Sequence, residues 1–296
     1  MTDLKIGVIG IPGKWSTEVL ADAIEQRTGF GAVIGMADVA LDLETRSLTA
    51  GNLNLCDLDG LVIKKISEEY SQATLDRLEM LRVAESAGVR IFSRTSAILG
   101  LVNRLSCTVT LSNAGIPMPA TCVTENEAEA LAAVERYGSA VFKPLFSTKA
   151  RGMMLLDAAA GTPALKQGIA AFKADNPVMY LQQKVNLSGR DLGMVFLGGR
   201  YLGTYARVAQ TDSWNTTIHH GGKYEPFDAD EDLIDLARRA QAPFGLDFTT
   251  VDIGLTDTGP IVFEVSAFGG FRGALEGASI DAAGLYADHV IAKVRG

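Results

Sequence analysis

Asp252 and Glu264 stand inside two short runs, "TTVDIGLT" and "PIVFEVS", where a globular chain normally places apolar core. They are twelve positions apart, across the turn "TDTGP". Paired as a hairpin, the two runs project both carboxylates onto one face. There they share a proton or bind a cation, because unpaired charges so placed are costly. Oxygen donors, with phosphates completing the shell, suit Mg2+; two solvent-facing edge acids are the bland alternative. Lys143 lies in "AVFKPLF", between Phe142 and Pro144. It reads either as an edge lysine reaching for water or as a fixed cation for phosphate oxygens. Arg207, at the end of "TYARV", is either a surface arginine or a bidentate partner for phosphate or carboxylate.

Other motifs carry less. Adjacent His219 and His220 point to opposite faces of a strand, so both do not easily serve one site. "FGGFRG" (268–273) offers backbone amides near Glu264 that could cradle an anion, or forms a plain loop. "GIPGKWST" (10–17) lacks phosphate-loop spacing: Gly10 and Gly13 are three apart, and Trp15 separates Lys14 from Ser16. A strand-to-helix turn lining a ligand crevice is the better reading. No Ser/His/Asp or Cys/His constellation offers a nucleophile.

These residues need elements to hold them. The first segment alternates strands ("KIGVIG", "GAVIGM", "LDGLVIKKI", "VRIFSR") with helices ("STEVLADAIEQRTG", capped by Ser16, and "SQATLDRLEMLRVAESAG"). Such alternation argues a parallel sheet covered on both faces and ending near residue 97. One helix follows over "SAILGLVNRLSCTVTLSNAG", closed by Gly115, then an extended stretch fixed by Pro117 and Pro119. A helix ended by Gly138 leads into the Lys143 strand, the polar loop "STKARG" and a returning strand. "PVMYLQQKV" is a further strand, and "DLGMVFLGGRYLGTYARV" a hairpin turning at Gly198-Gly199. A loop (211–230), a helix ("LIDLARRAQAPFG"), the two acid-bearing strands and a terminal helix (281–294) complete the chain.

Composition bounds the function. Of 296 residues, 47% are hydrophobic and 21% charged, an ordinary globular balance with room for two or three lobes. The formal charge of −8 argues against nucleic acid or anionic lipid as a general partner. Cys56, Cys107 and Cys122 are odd in number and widely spaced, which favours reduced thiols over a disulfide framework or a zinc site. The N-terminus lacks a signal-peptide pattern, and no apolar run reaches the ~18 residues of a spanning helix. A cytoplasmic protein without a membrane partner is expected.

The order of the pieces — α/β lobe, helix, buried lysine, polar loop, "LQQKV", "GRD", arginine, "HHGG", "VD", "FEV" — resembles the ATP-grasp superfamily, and within it the RimK-type glutamate ligases. The likeness spans nearly the whole chain. It implies an α/β ATP-grasp fold: an N-terminal Rossmann-like parallel-sheet lobe (1–97), then central (98–182) and C-terminal (183–296) α+β lobes that clasp the nucleotide. It further implies ATP and Mg2+, with Mn2+ as a substitute, a carboxylate acceptor and an amino-acid amine donor; a homo-oligomer is compatible with it. Carried over residue by residue, Lys143 meets the nucleotide phosphates; Lys149 and Arg151, two cations beyond the family pattern, stand in the loop that follows. Gln183, Lys184 and Val185 meet adenine, and Asp191 the ribose. Asp252 and Glu264 hold the metal, and Arg207 steadies charge on the transferring phosphoryl group.

Several positions depart from the family pattern. Asn103-Arg104 replaces an aspartate–lysine pair, so Arg104 takes the first nucleotide contact. Ser266 replaces the asparagine that is the third metal ligand. "STKARG" replaces a glycine-rich loop, Gly193 an arginine, and Asn215-Thr216-Thr217 an "RSN"-like element. The implied activity is amide formation through an acyl phosphate. The alternatives are an ATP-binding protein without turnover and a small-molecule kinase on the same scaffold.

Overall fold

A computed structural model describes residues 4–148, 150–187, 189–208 and 222–296. Lys149, His219, His220 and the 215–217 element therefore lie outside the described residues. The first segment runs β1 (Ile6–Ile9), α1 (Trp15–Thr28), β2 (Val33–Ile34), β3 (Val39–Asp42), β4 (Ser47–Ala50), β5 (Leu53–Asn54), β6 (Gly60–Ile63), α2 (Gln72–Ser86) and β7 (Arg90–Phe92). Strands β2-β1-β6-β7 form the expected parallel sheet, and β1 and β6 are buried throughout. Ser16 does not cap α1: Lys14 holds the N-cap position without a side-chain bond. The antiparallel β3-β4-β5 meander was not expected; its strands are short, with an incomplete alternation that tucks Leu48 into the core.

The single helix expected after residue 95 is two, α3 (Thr95–Val102) and α4 (Arg104–Asn113). Asn103 breaks it: its backbone is extended and its side chain accepts the Leu105 N–H at 2.8 Å, capping α4. That break puts Arg104 at the head of a helix. Next come β8 (Thr121–Thr124), α5 (Glu127–Tyr137), β9 (Ser139–Lys143), β10 (Met154–Asp157), α6 (Thr162–Asp175) and β11 (Met179–Gln183). The sheet order is β10-β9-β11-β8, antiparallel, around its own core of Phe142, Phe172, Leu181 and Val134. Because β9 is an interior strand, Lys143 is not an edge lysine.

The remainder is β12 (Arg190–Leu197), β13 (Arg200–Val208), β14 (Lys223–Pro226), α7 (Glu231–Gln241), β15 (Phe248–Thr256), β16 (Gly259–Ser266), α8 (Phe271–Ala278) and α9 (Ala282–Arg295). Its antiparallel sheet has the order β14-β13-β12-β15-β16. The β12–β13 hairpin turns at Gly198-Gly199, both at positive φ (56° and 78°), as a two-residue turn between right-twisted strands demands. Strand β14 falls where a loop was expected, and α8 takes up the second half of "FGGFRG". One face of this sheet (Leu192, Met194, Val251, Ile253) joins α7 and the first segment in one apolar core. The other face (Val195, Tyr205, Phe248) packs on α8 and α9. Among the described residues no helix is long and apolar enough to cross a membrane. The three cysteines are unpaired.

Candidate functional site

Asp252 in β15 and Glu264 in β16 are direct cross-strand partners. Alternation along β15 sends Val251 and Ile253 into the core and leaves Asp252 on the opposite face. The register then shifts by one between Asp252 and Ile253, so Phe263 is an extra residue that re-aims β16 beside the acids. Ser266, paired with Thr250, lies two residues beyond Glu264 and so shares its face. Asp191 and Arg207 are partners across β12 and β13, on the same face.

The charges on this face are tightly engaged. Arg207 donates from Nε to Asp191 Oδ2 at 2.9 Å, its Nη2 pairs with the same oxygen, and Nη2 lies 3.0 Å from Asp252 Oδ2. Burial pushes the Asp252 carboxyl up, Arg207 pulls it down and Glu264 pushes it up again. Burial alone would lower the Arg207 guanidinium, yet Asp252 and Asp191 together hold it well above the ordinary arginine range. Asp252 Oδ1 is buried without a hydrogen-bond partner among the described residues. A buried carboxylate oxygen left bare in this way is costly unless something completes it. Two carboxylates and a serine hydroxyl on one face form an all-oxygen donor set, and that set with one bare oxygen fits Mg2+. Among the described residues no three His, Cys, Asp or Glu side chains gather as a metal site, so a third donor is of another kind, such as Ser266.

Two cations approach from other elements. Arg104 reaches Glu264 Oε2 at 3.4 Å. Lys143, at the end of β9, donates to Gln182 Oε1 at 2.5 Å and sits 5.5 Å from the centre of the Phe263 ring. Burial, then Arg104, lowers its ammonium to about 7, while Glu264 acts the other way. Asp252, Glu264, Arg207, Asp191, Arg104 and Lys143 are thus linked as a single group. Gln183, Lys184 and Val185 lie where the chain leaves β11 for β12, with the Gln183 and Lys184 N–H groups bonded to Ala120 and Ser139. Arg151 does not join the group: it pairs with Glu69 of the first segment.

Lys64, Lys65 and Tyr205 escaped the sequence reading. Lys64, at the end of β6, is buried (6% exposed), donates to the Gly269 carbonyl at 2.8 Å and lies 4.1 Å from the centre of the Phe271 ring. Lys65 lies over Tyr70 and Phe268. Two lysines ending an all-apolar strand were the available signal. Tyr205 fills the space beside Gly193; a Cβ there would sit 2.3 Å from its ring, so no arginine fits at 193 in this arrangement. The "GIPGKWST" turn is closed on itself: Glu18 accepts the Gly13 N–H at 2.6 Å and Thr17 the Ile11 N–H at 3.3 Å. With Gly35–Asp38, Ser67–Glu69 and Arg77 it lines a cavity of about 440 Å³ at the carboxyl ends of β1 and β6, where the sheet order reverses.

Comparison with known proteins places the whole chain by family and fold. The model of the RimK-like ATP-grasp domain matches residues 102–290. A tetrahydromethanopterin:alpha-L-glutamate ligase of Methanosarcina acetivorans is 25% identical over 264 residues, covering 84% of this chain and 82% of that protein. A probable alpha-L-glutamate ligase of Rhodopirellula baltica is 26% identical over 296 residues, covering 98% of this chain and 72% of its own. Among solved structures, the ATP-grasp ligase PsnB, complexed with a phosphomimetic variant of its minimal precursor, Mg and ADP, superposes with TM-score 0.77 at 18% identity over 99% of both chains. The family match covers more than half of the sequence, and the fold agrees from end to end: the chain belongs to the RimK-like ATP-grasp family of ligases.

Proposed function

We propose that this protein joins a carboxylate acceptor to the amine of glutamate or another amino acid at the expense of ATP. The supporting observation is the facing pair Asp252 and Glu264, with Arg207 between Asp191 and Asp252 and one carboxylate oxygen left bare. Three lobes, 1–97, 98–182 and 183–296, surround the nucleotide. Lys143 and Arg104 hold its phosphates, Gln183–Val185 its base and Asp191 its ribose, although Asp191 is also the anchor of Arg207. Asp252, Glu264 and Ser266 would hold Mg2+, which would supply neutralising charge for the phosphate oxygens.

The acceptor carboxylate attacks the γ-phosphorus and ADP leaves, giving an acyl phosphate. The amine nitrogen then attacks the acyl carbon, inorganic phosphate leaves and the amine proton passes to solvent. Phosphoryl transfer asks the protein for placement and charge compensation, and this group of side chains supplies both without a nucleophile. The cavity beside β1 and β6 suits the acceptor, being of small-molecule size and walled by the 67–71 segment, whose Tyr70 interacts with Glu264. Glu264→Gln should cut amino-acid-dependent ADP release by ~10²–10³ while leaving the circular dichroism spectrum unchanged. Undiminished turnover in that variant would remove the metal assignment.

A second reading, nucleotide binding without turnover, is favoured by Ser266 as a weak third ligand and by the pairing of Arg151 with Glu69. Single-turnover assays with the amine present separate the two, since only a ligase releases ADP in step with amide.

A further inference from the structure

Each of the two acids, Asp252 and Glu264, already carries a guanidinium, and the two contacts differ in kind. Arg207 is clamped, with Nε 2.9 Å from Asp191. Arg104 is stretched among three partners: Nη1 is 3.4 Å from Glu264 Oε2, Nη2 3.4 Å from Ser147 Oγ, and Nε 3.4 Å from the Pro144 carbonyl. All three lie at the long limit of hydrogen bonding, so the fork is shared between them and fixed by none. Its place is nonetheless defined, because the Arg104 side chain is 12% exposed and its backbone N–H donates to the Leu145 carbonyl at 3.0 Å. On one side of the fork stands the metal-bearing strand. On the other stands the segment that follows the phosphate-facing Lys143.

The charges facing one another here are Asp191, Asp252 and Glu264 against Arg104, Arg207 and Lys143, close to balance. A bare divalent ion adds two positive charges to that balance and must take Glu264 from Arg104. A metal–nucleotide complex brings its own negative charge and offers Arg104 a phosphate in exchange. Resting on the ligase reading above, we propose that Arg104 is a positioning residue that makes metal binding conditional on nucleotide: it holds Glu264 as a counter-ion until phosphates draw it toward the 144–147 segment. A lysine, the usual family residue at this place, is a single point charge and cannot span Glu264, Ser147 and Pro144 together.

The test uses Mn2+ as a paramagnetic probe, titrated into the whole protein with and without ADP and read by electron paramagnetic resonance. Wild-type protein should bind Mn2+ weakly alone and at least ~10-fold more tightly with ADP, with Mn2+ tightening ADP by the same factor. Arg104→Met should raise affinity for Mn2+ alone by ~10-fold and shrink the coupling to ADP, with Arg104→Lys between the two. Should the methionine variant fail to fold, the lysine variant carries the comparison. Equal affinity for Mn2+ alone in all the folded proteins overturns the proposal. Absence of Mn2+ binding even with ADP, in every protein, overturns instead the assignment of Asp252 and Glu264 as ligands.

Discussion

At Lys143 the site makes a choice that sets its response to pH. The residue ends an interior strand, its nitrogen is held by Gln182, and burial draws its ammonium down to about 7. A phosphate beside it favours the charged form and moves the equilibrium back toward the ordinary lysine value. Below pH 7 the lysine is protonated already and binding is proton-neutral. Above pH 7 nucleotide binding must take up a proton, so affinity falls as pH rises, by up to about one decade per unit. Calorimetry at pH 8 in two buffers of different ionisation enthalpy should show that uptake, and Lys143→Arg should abolish it, because guanidinium stays charged. Buffer-independent heats for the wild type would refute the assignment of Lys143 to the phosphates. Tyr205 illustrates the opposite case, a residue whose meaning lies in what it excludes. Gly193 of β12 and Gly273 and Gly277 of α8 close on it, and a Cβ on any of them would stand within 2.5 Å of the tyrosine. A side chain at 193 and this ring therefore exclude one another.

At the scale of elements, the cap on α4 positions the most exchangeable cation of the site. Asn103 accepts the Leu105 N–H and starts the helix, which fixes where Arg104 stands between Glu264 and Ser147. Asn103→Ala should cost ~1 kcal/mol in chemical denaturation. It should also weaken nucleotide binding, whereas Asn103→Asp, which caps equally well and suits a helix N-terminus, should restore both. Unchanged stability in the alanine variant would show that the helix break has another cause. The cap also marks the border between what was legible in the sequence and what was not. Asp252, Glu264 and Lys143 could be read because a charge inside a β-branched or aromatic strand contradicts its surroundings within a few residues. The helix break could not, because "LVNRLS" keeps helical spacing and asparagine is only mildly unfavourable inside a helix. Helix α8 was hidden by Gly273 and Gly277, whose low helix propensity is overridden by packing around Tyr205. Arg151 was assigned to phosphate from its loop alone, yet its partner Glu69 lies 82 residues away in sequence and no local pattern announces it.

Across the whole molecule, Lys64 links the parallel sheet to the chain leaving β16. Gly269 and Phe271, which it holds, connect Ser266 to α8, and the contact spans 205 residues of sequence. It leaves a thermodynamic signature. Burial, helped by Lys65, lowers the Lys64 ammonium to about 7 in the folded protein, while the unfolded chain keeps it near ~10.4. Between those values the unfolded state binds more protons, so stability from this group rises with pH through that window and is least below 7. The slope is at most ~1.4 kcal/mol per pH unit. Lys143 adds a similar slope of its own, so the total profile of the wild type identifies neither residue. The difference between wild type and Lys64→Met does, because the variant retains Lys143 and removes only the buried charge and its bond to Gly269. Urea unfolding from pH 6.5 to pH 9 should therefore show the wild type gaining on Lys64→Met as pH rises. Parallel profiles would mean that the Lys64 ammonium stays charged in the folded protein, stabilised by the Gly269 carbonyl and the Phe271 ring more strongly than burial opposes it.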